Sequence, residues 1–186
     1  VKLVATPSQT VGPFFSIGFD PLRCLKLAAP GVTGEHVEIE GQVLDGDAKP
    51  VPDAVLEIWQ ASAQGEYAST GDRSTSAMFR GFGRLPTDAN GCFRFTTIKP
   101  GVVPGPGDVP QAPHLAVSLF MRGLLLRLVT RMYFPGEPAN DRDQILSLIE
   151  PSRRATLVAT AAAANPGRLR WDIRLQGDQE TVFFDC

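Results

Sequence analysis

Short runs that alternate apolar with polar residues, cut apart by glycine and proline, leave this chain few ways to fold. From His36 the stretch "HVEIEGQVLDG" sets Val37, Ile39 and Gly41 against charged or polar neighbours, the period of a half-buried strand. "AVLEIWQAS", "GCFRFTTI", "HLAVSLFMR", "LLLRLVTRMYF", "ATLVATA", "RLRWDIRLQ" and "ETVFFD" continue the series, separated by Gly, Pro, Asn and Asp. With 18 glycines and 16 prolines in 186 residues, turns are frequent and long helices are excluded. The pattern predicts an all-β fold, a β-sandwich of about seven to nine strands. One short helix is expected in "NDRDQILSLIEP", with Asn140 or Asp141 as N-cap, Ile145, Leu148 and Ile149 at helical spacing, and Pro151 as the stop.

Residues 1–34 have no sustained periodicity and read as an extended N-terminal arm. Val11, Phe14, Phe15, Ile17 and Phe19 make it too apolar for a free tail, since each costs about 1.5–3 kcal/mol if left in water. The expected organisation is therefore an arm over 1–34 that docks on a partner chain and a sandwich domain over 35–186. The polar, Gly-rich stretch from Ala68 to Arg84 reads as a long loop, and "DGDAKPVPD" as a turn.

A net charge of −2 with scattered lysines and arginines provides no stripe for a phosphate backbone, which argues against nucleic acid. "VKLVATPSQTVGPFF" has no long apolar run, and "LVATAAAA" is too short to span a bilayer, so a cytoplasmic location without membrane attachment is expected. Cys24, Cys92 and Cys186 fit neither a disulfide framework nor a zinc cluster and read as reduced thiols; the sequence assigns Cys186 no role.

The chemistry-bearing residues are sparse. There are two histidines, His36 and His114, and two tyrosines, Tyr67 and Tyr133. In an extended strand, residues two apart share a face, so a His-x-His pair could grip a metal; here "PHLAVSLFMRG" puts Ala116 in the second place. His114 is a ligand, the remnant of one, or a buried imidazole hydrogen-bonded in the core. His36, at the start of a strand, reads as solvent-facing, and the two tyrosines as buried rings whose hydroxyls reach backbone. The chain lacks GxSxG, and "PGVVPGPG" lacks the lysine and hydroxyl of a phosphate loop. Two features are less easily set aside: "TPSQTVGPFF", where Gly12-Pro13 bends the chain beside aromatics, and Arg122, either a surface cation or an anchor for a carboxylate or phenolate.

Taken in order, "TPSQTVGPFF", "GQVLDG", "LEIWQASAQGEY", "TIKPG", "APH", "SLFMRG", "RMYFPG", "WDIRLQG" and "ETVFFD" resemble the intradiol ring-cleaving dioxygenases from Thr6 to Phe184. The narrower likeness is to the non-catalytic α chains of that family's two-chain, protocatechuate-cleaving members. The resemblance implies a homologous catalytic β chain holding a non-haem Fe(III) through two tyrosines and two histidines, a donor set suited to that hard ion. Here the four ligand positions are matched by Tyr67, Val103, His114 and Ala116, and an arginine just upstream of the histidine pair is matched by Gln111. Only half the ligand set is present, so the resemblance implies a vestigial site without metal.

The family's pocket lies at the α/β interface. The positions implied to help form it are Thr10, Gly12, Pro13 and Phe14 of the arm, and Arg122. The implied reaction, part of aromatic catabolism, inserts both atoms of O₂ between the hydroxyl-bearing carbons of protocatechuate and gives 3-carboxy-cis,cis-muconate. Higher-order αβ assembly is implied too. Two alternatives stand beside this expectation: a self-sufficient iron dioxygenase recruiting His36 and Tyr133, and an inert β-sandwich interaction module.

Overall fold

The computed structural model describes residues 4–12, 14–67, 78–162 and 165–185; Pro13, Cys186 and most of the expected loop after Ala68 lie outside the described residues. Nine strands form two sheets: β1 (His36–Leu44), β2 (Val55–Trp59), β3 (Phe82–Pro86), β4 (Cys92–Ile98), β5 (His114–Phe120), β6 (Leu128–Tyr133), β7 (Thr160–Ala162), β8 (Asn165–Arg170) and β9 (Ile173–Arg174). One sheet has the order β4-β1-β8-β7, with β9 also against β1, and the other β3-β2-β5-β6. The alternation read from the sequence is what closes them face to face. Val37, Ile39 and Val43 of β1 and Phe93 and Phe95 of β4 meet Leu56, Ile58, Leu115, Val117, Leu119 and Met132 of the second sheet in one core.

Residues Cys24–Ala28 stitch the two sheets along one side. Cys24 N donates to Arg84 O on β3, while Leu27 N donates to Thr96 O on β4. The fully buried Leu27 fills the space left by Gly83, where a Cβ would stand 2.6 Å from the leucine's methyl carbon.

The structure departs from the sequence expectations in four places. The end of the polar stretch at Arg84 belongs to the edge strand β3, whose "FGRLP" puts a glycine and a leucine at the two inward positions and so hides its period; Leu56 pairs with Leu85 and Glu57 with Arg84. "ETVFFD" is not a strand but makes a single bridge, Phe184 to Val129. At Val182 side chains take both backbone groups: Thr130 Oγ1 donates to Val182 O (2.7 Å), and Val182 N donates to Thr156 Oγ1 (3.3 Å). "ATLVATA" opens as a 3-10 turn and becomes strand only at Thr160.

Instead of one helix, three short ones occur among the described residues: α1 (Phe14–Phe19) lies in the arm, which is therefore not wholly extended, α2 (Gln144–Leu148) is the expected helix, and α3 (Pro151–Arg154) begins at the proline expected to be its stop. Asp143, rather than Asn140 or Asp141, caps α2, because Asn140 is spent on Phe134 O and Pro138–Arg142 closes its own 3-10 turn. The "DGDAKPVPD" turn forms as read, with Asp45 Oδ1 accepting from Asp47 N and Lys49 N. Cys24 and Cys92 are free thiols. No helix of the described residues is long and apolar enough to cross a membrane.

Candidate functional site

Because Leu115, Val117 and Leu119 of β5 face the core, His114, Ala116, Ser118 and Phe120 lie on the opposite face of the second sheet. The register then decides their neighbours. Tyr133 stands opposite His114, and Phe82, Trp59, Ala116 and Arg131 form one row across all four strands. Residues His114 to Phe120 span roughly 20 Å at strand rise, so this face has two separate ends.

At the β5 start lie the matched ligand positions. His114 is buried, and its Nδ1 donates to Ala112 O at 2.7 Å, which leaves Nε2 as the lone-pair nitrogen. Burial holds its imidazole below the ordinary range, and the Arg131 charge pushes the same way. Tyr67 is half-exposed; partial burial raises its phenol and the Arg131 charge opposes this. Val103 is buried and bridged to Gln111, whose side-chain oxygen accepts from Arg131 Nη1 at 2.7 Å. Tyr133, fully buried, donates to Asp143 Oδ1 at 3.1 Å and not to backbone as expected; burial, with Asp143 beside it, drives its phenol far above the ordinary value. His36 is on the other sheet, its Nε2 donating to Val32 O at 2.8 Å, so it does not join Tyr133 in a ligand set.

Two glycines let the Tyr67 turn lie against the Val103 loop. Gly65 has φ +81°, and a Cβ there would stand 2.0 Å from Val102 O; at Gly101 it would stand 2.5 Å from Ala63 O. Gly65→Ala is expected to lower stability by about 2–4 kcal/mol, through left-handed strain added to a backbone clash. A urea midpoint unchanged from the parent would show that the two loops part freely.

The other end gathers the pocket candidates. The β5–β6 turn holds Arg122, with Nη2 on Asp53 Oδ2 at 2.7 Å, both side chains more than half exposed. The next residue, Gly123, donates its N–H to Thr10 Oγ1 at 2.7 Å, so the arm crosses this turn. Phe15 then packs on Phe120 with ring centroids 5.6 Å apart, and Arg84 lies over Phe19 at 4.3 Å. The Gly12 carbonyl accepts from Phe15 N, and Phe14 projects outward, 80% exposed. Thr10, Gly12, Phe14 and Arg122 thus lie in one region, away from Tyr67, Val103, His114 and Ala116.

The family model described as "Dioxygenase" matches residues 23–177. The protocatechuate 3,4-dioxygenase alpha chains of Burkholderia cepacia and Pseudomonas putida are 43% and 44% identical to this chain; each comparison covers 98% of it and 98% and 97% of the relative. The chain belongs to the intradiol dioxygenase family. The protocatechuate 3,4-dioxygenase beta chain of B. cepacia is 38% identical, over 80% of this chain and 67% of its own length. Among solved structures, the dioxygenase domain of a carbohydrate-binding fusion protein from Streptomyces sp. SirexAA-E superposes with a TM-score of 0.66 at 29% identity, covering 86% of this chain and 89% of that one. An intradiol ring-cleavage dioxygenase from Tetranychus urticae, 15% identical, shares the fold with a TM-score of 0.63, covering 82% and 85%.

The ferric ion associated with intradiol dioxygenases does not fit the residues at the start of β5. Val103 and Ala116 carry no donor atom, and a guanidinium, Arg131, stands beside the two donors that are left. Sequence reading passed over Arg131 and Asp143. Arg131 was accessible in principle, as a charge two residues before Tyr133 in an otherwise apolar strand. Asp143 carried no such mark, because its partners come from three separate segments.

Proposed function

We propose that this chain is the α subunit of a protocatechuate 3,4-dioxygenase, a non-catalytic partner that shapes the active-site pocket of a homologous β subunit. The carrying observation is the pairing of near-full-length likeness to alpha chains with a ligand set reduced to Tyr67 and His114. Non-haem Fe(III) belongs to the β subunit and supplies the activation of the catechol toward O₂. Both oxygen atoms enter the product, 3-carboxy-cis,cis-muconate, so no other reductant is consumed. The assembly contains several αβ units and works in the cytoplasm.

In this reading residues 1–34 are the arm and 35–186 the sandwich; the arm meets the β subunit through its exposed side chains, while its Cys24–Ala28 stretch joins this chain's own sheets. Phe14 and Ile17 of the arm, with Leu125 and Leu126 beyond Arg122, are largely exposed apolar side chains around one end of the second sheet and support a covering partner there. Thr10, Gly12, Pro13 and Phe14 form pocket wall. Arg122, a fixed cation, orients the anionic substrate. Its Asp53 pair is solvent-exposed and weak, about 0–1 kcal/mol, so the guanidinium is readily recruited.

Expression of the chain alone and together with a homologous β-type chain tests this. The pair is expected to co-purify and cleave protocatechuate, and the chain alone to show no turnover. Ring cleavage by the chain alone would contradict the proposal, and so would failure of the two chains to associate.

A further inference from the structure

Arg131 is tied to all four positions matched to metal ligands, to Ala116 by direct pairing and to the others through a neighbour or through its charge. It faces Ala116 directly across the β5–β6 ladder, and His114 lies two residues from Ala116 on the same face. Its guanidinium donates to Gln111, and Gln111 is bridged to Val103. Its charge also reaches Tyr67, in the turn that Gly65 and Gly101 hold against the Val103 loop. The groups around it are the phenols of Tyr67 and Tyr133, the His114 imidazole and the Gln111 amide oxygen, with the Asp143 carboxylate behind Tyr133, surroundings of a kind that otherwise suit a metal cation. Gln111 stands where the family resemblance places an arginine, and here its side-chain oxygen accepts from Arg131.

We propose that Arg131 is the resident cation of this site, a guanidinium that replaces the metal ion and closes the site to metals by charge as well as by loss of donors. The proposal rests on Tyr67, Val103, His114 and Ala116 being the matched ligand positions. A guanidinium is a fixed cation, so the exclusion is built into the side chain itself. An ordinary structural arginine holding Gln111 in place would have no bearing on metal uptake, and this separates the two roles.

Ala116→His restores a His-x-His pair facing Tyr67 without enlarging the buried Val103. It is compared with Ala116→His/Arg131→Gln in the protein as purified, by Co(II) titration. Cobalt bound beyond that taken up by the unsubstituted protein is followed by its visible d–d bands, with the fold checked by circular dichroism. With Arg131 retained, no additional Co(II) is expected; with Arg131→Gln, one further equivalent is expected, with affinity raised at least about tenfold. Arg131→Lys in the same background, keeping the charge, is expected to leave the site closed. If the glutamine variant fails to fold, Arg131→Met carries the same comparison. Equal uptake with and without Arg131, or uptake by the lysine variant equal to that of the neutral ones, would overturn the resident cation while leaving the ligand assignment intact. Uptake by none of the folded variants would overturn the ligand assignment, and the proposal with it.

Discussion

Asp143→Ala is expected to cost about 3–5 kcal/mol of unfolding free energy, the largest effect of any single substitution near the site. The carboxylate is almost wholly buried and accepts from Ala112 N (2.8 Å), Leu146 N (2.9 Å) and Tyr133 Oη (3.1 Å). Alanine would strand three buried donors at once and remove the cap of α2. The loss would also be felt at the matched ligand positions, because Ala112 sits two residues before His114 and lends it the carbonyl that fixes its tautomer. Asp143→Asn keeps one oxygen acceptor and should recover part of the loss. Urea unfolding of the two variants checks this. A loss below about 1 kcal/mol for alanine would mean that water replaces the carboxylate freely, contrary to the burial of all three partners.

The second large effect concerns activity. Arg122→Ala in the assembled enzyme is expected to lower kcat/KM for protocatechuate about 10–100-fold with iron content unchanged, the loss of one charge-assisted contact to an anionic substrate. Arg122→Lys should recover only part, since a point charge replaces a planar fork. Asp53→Ala serves as the control. That pair is exposed, and breaking it should leave kcat/KM within about twofold. Wild-type kinetics in Arg122→Ala, or a matching drop in Asp53→Ala, would remove Arg122 from the pocket and make it a surface ion-pair residue.

Strands with strict alternation were legible because each buries one face. Val37, Ile39 and Val43 announce β1, as Leu115, Val117 and Leu119 announce β5. Edge strand β3 was not, since Gly83 leaves its inward space to Leu27 from a distant segment and Arg84 turns outward to Glu57. The last segment misled for the opposite reason: "ETVFFD" has strand composition, but Thr130 and Thr156 take both backbone groups of Val182 and leave a bridge at Phe184 in place of a ladder. Position-by-position likeness gave the candidate residues, and only the register separated them into two groups at opposite ends of one face. Arg131 stood out as a charge, but its place opposite Ala116 came only from pairing, because nothing in "LVTRMYF" says which residue of β5 it faces.

Iron bound per αβ unit tests the central claim most directly. Co-expressed with a homologous β-type chain, the purified active complex is expected to hold one ferric ion per αβ pair, with none in this chain after the two are separated. Two ions per pair, or ferric ion with a phenolate-to-iron band retained by this chain alone, would contradict the account.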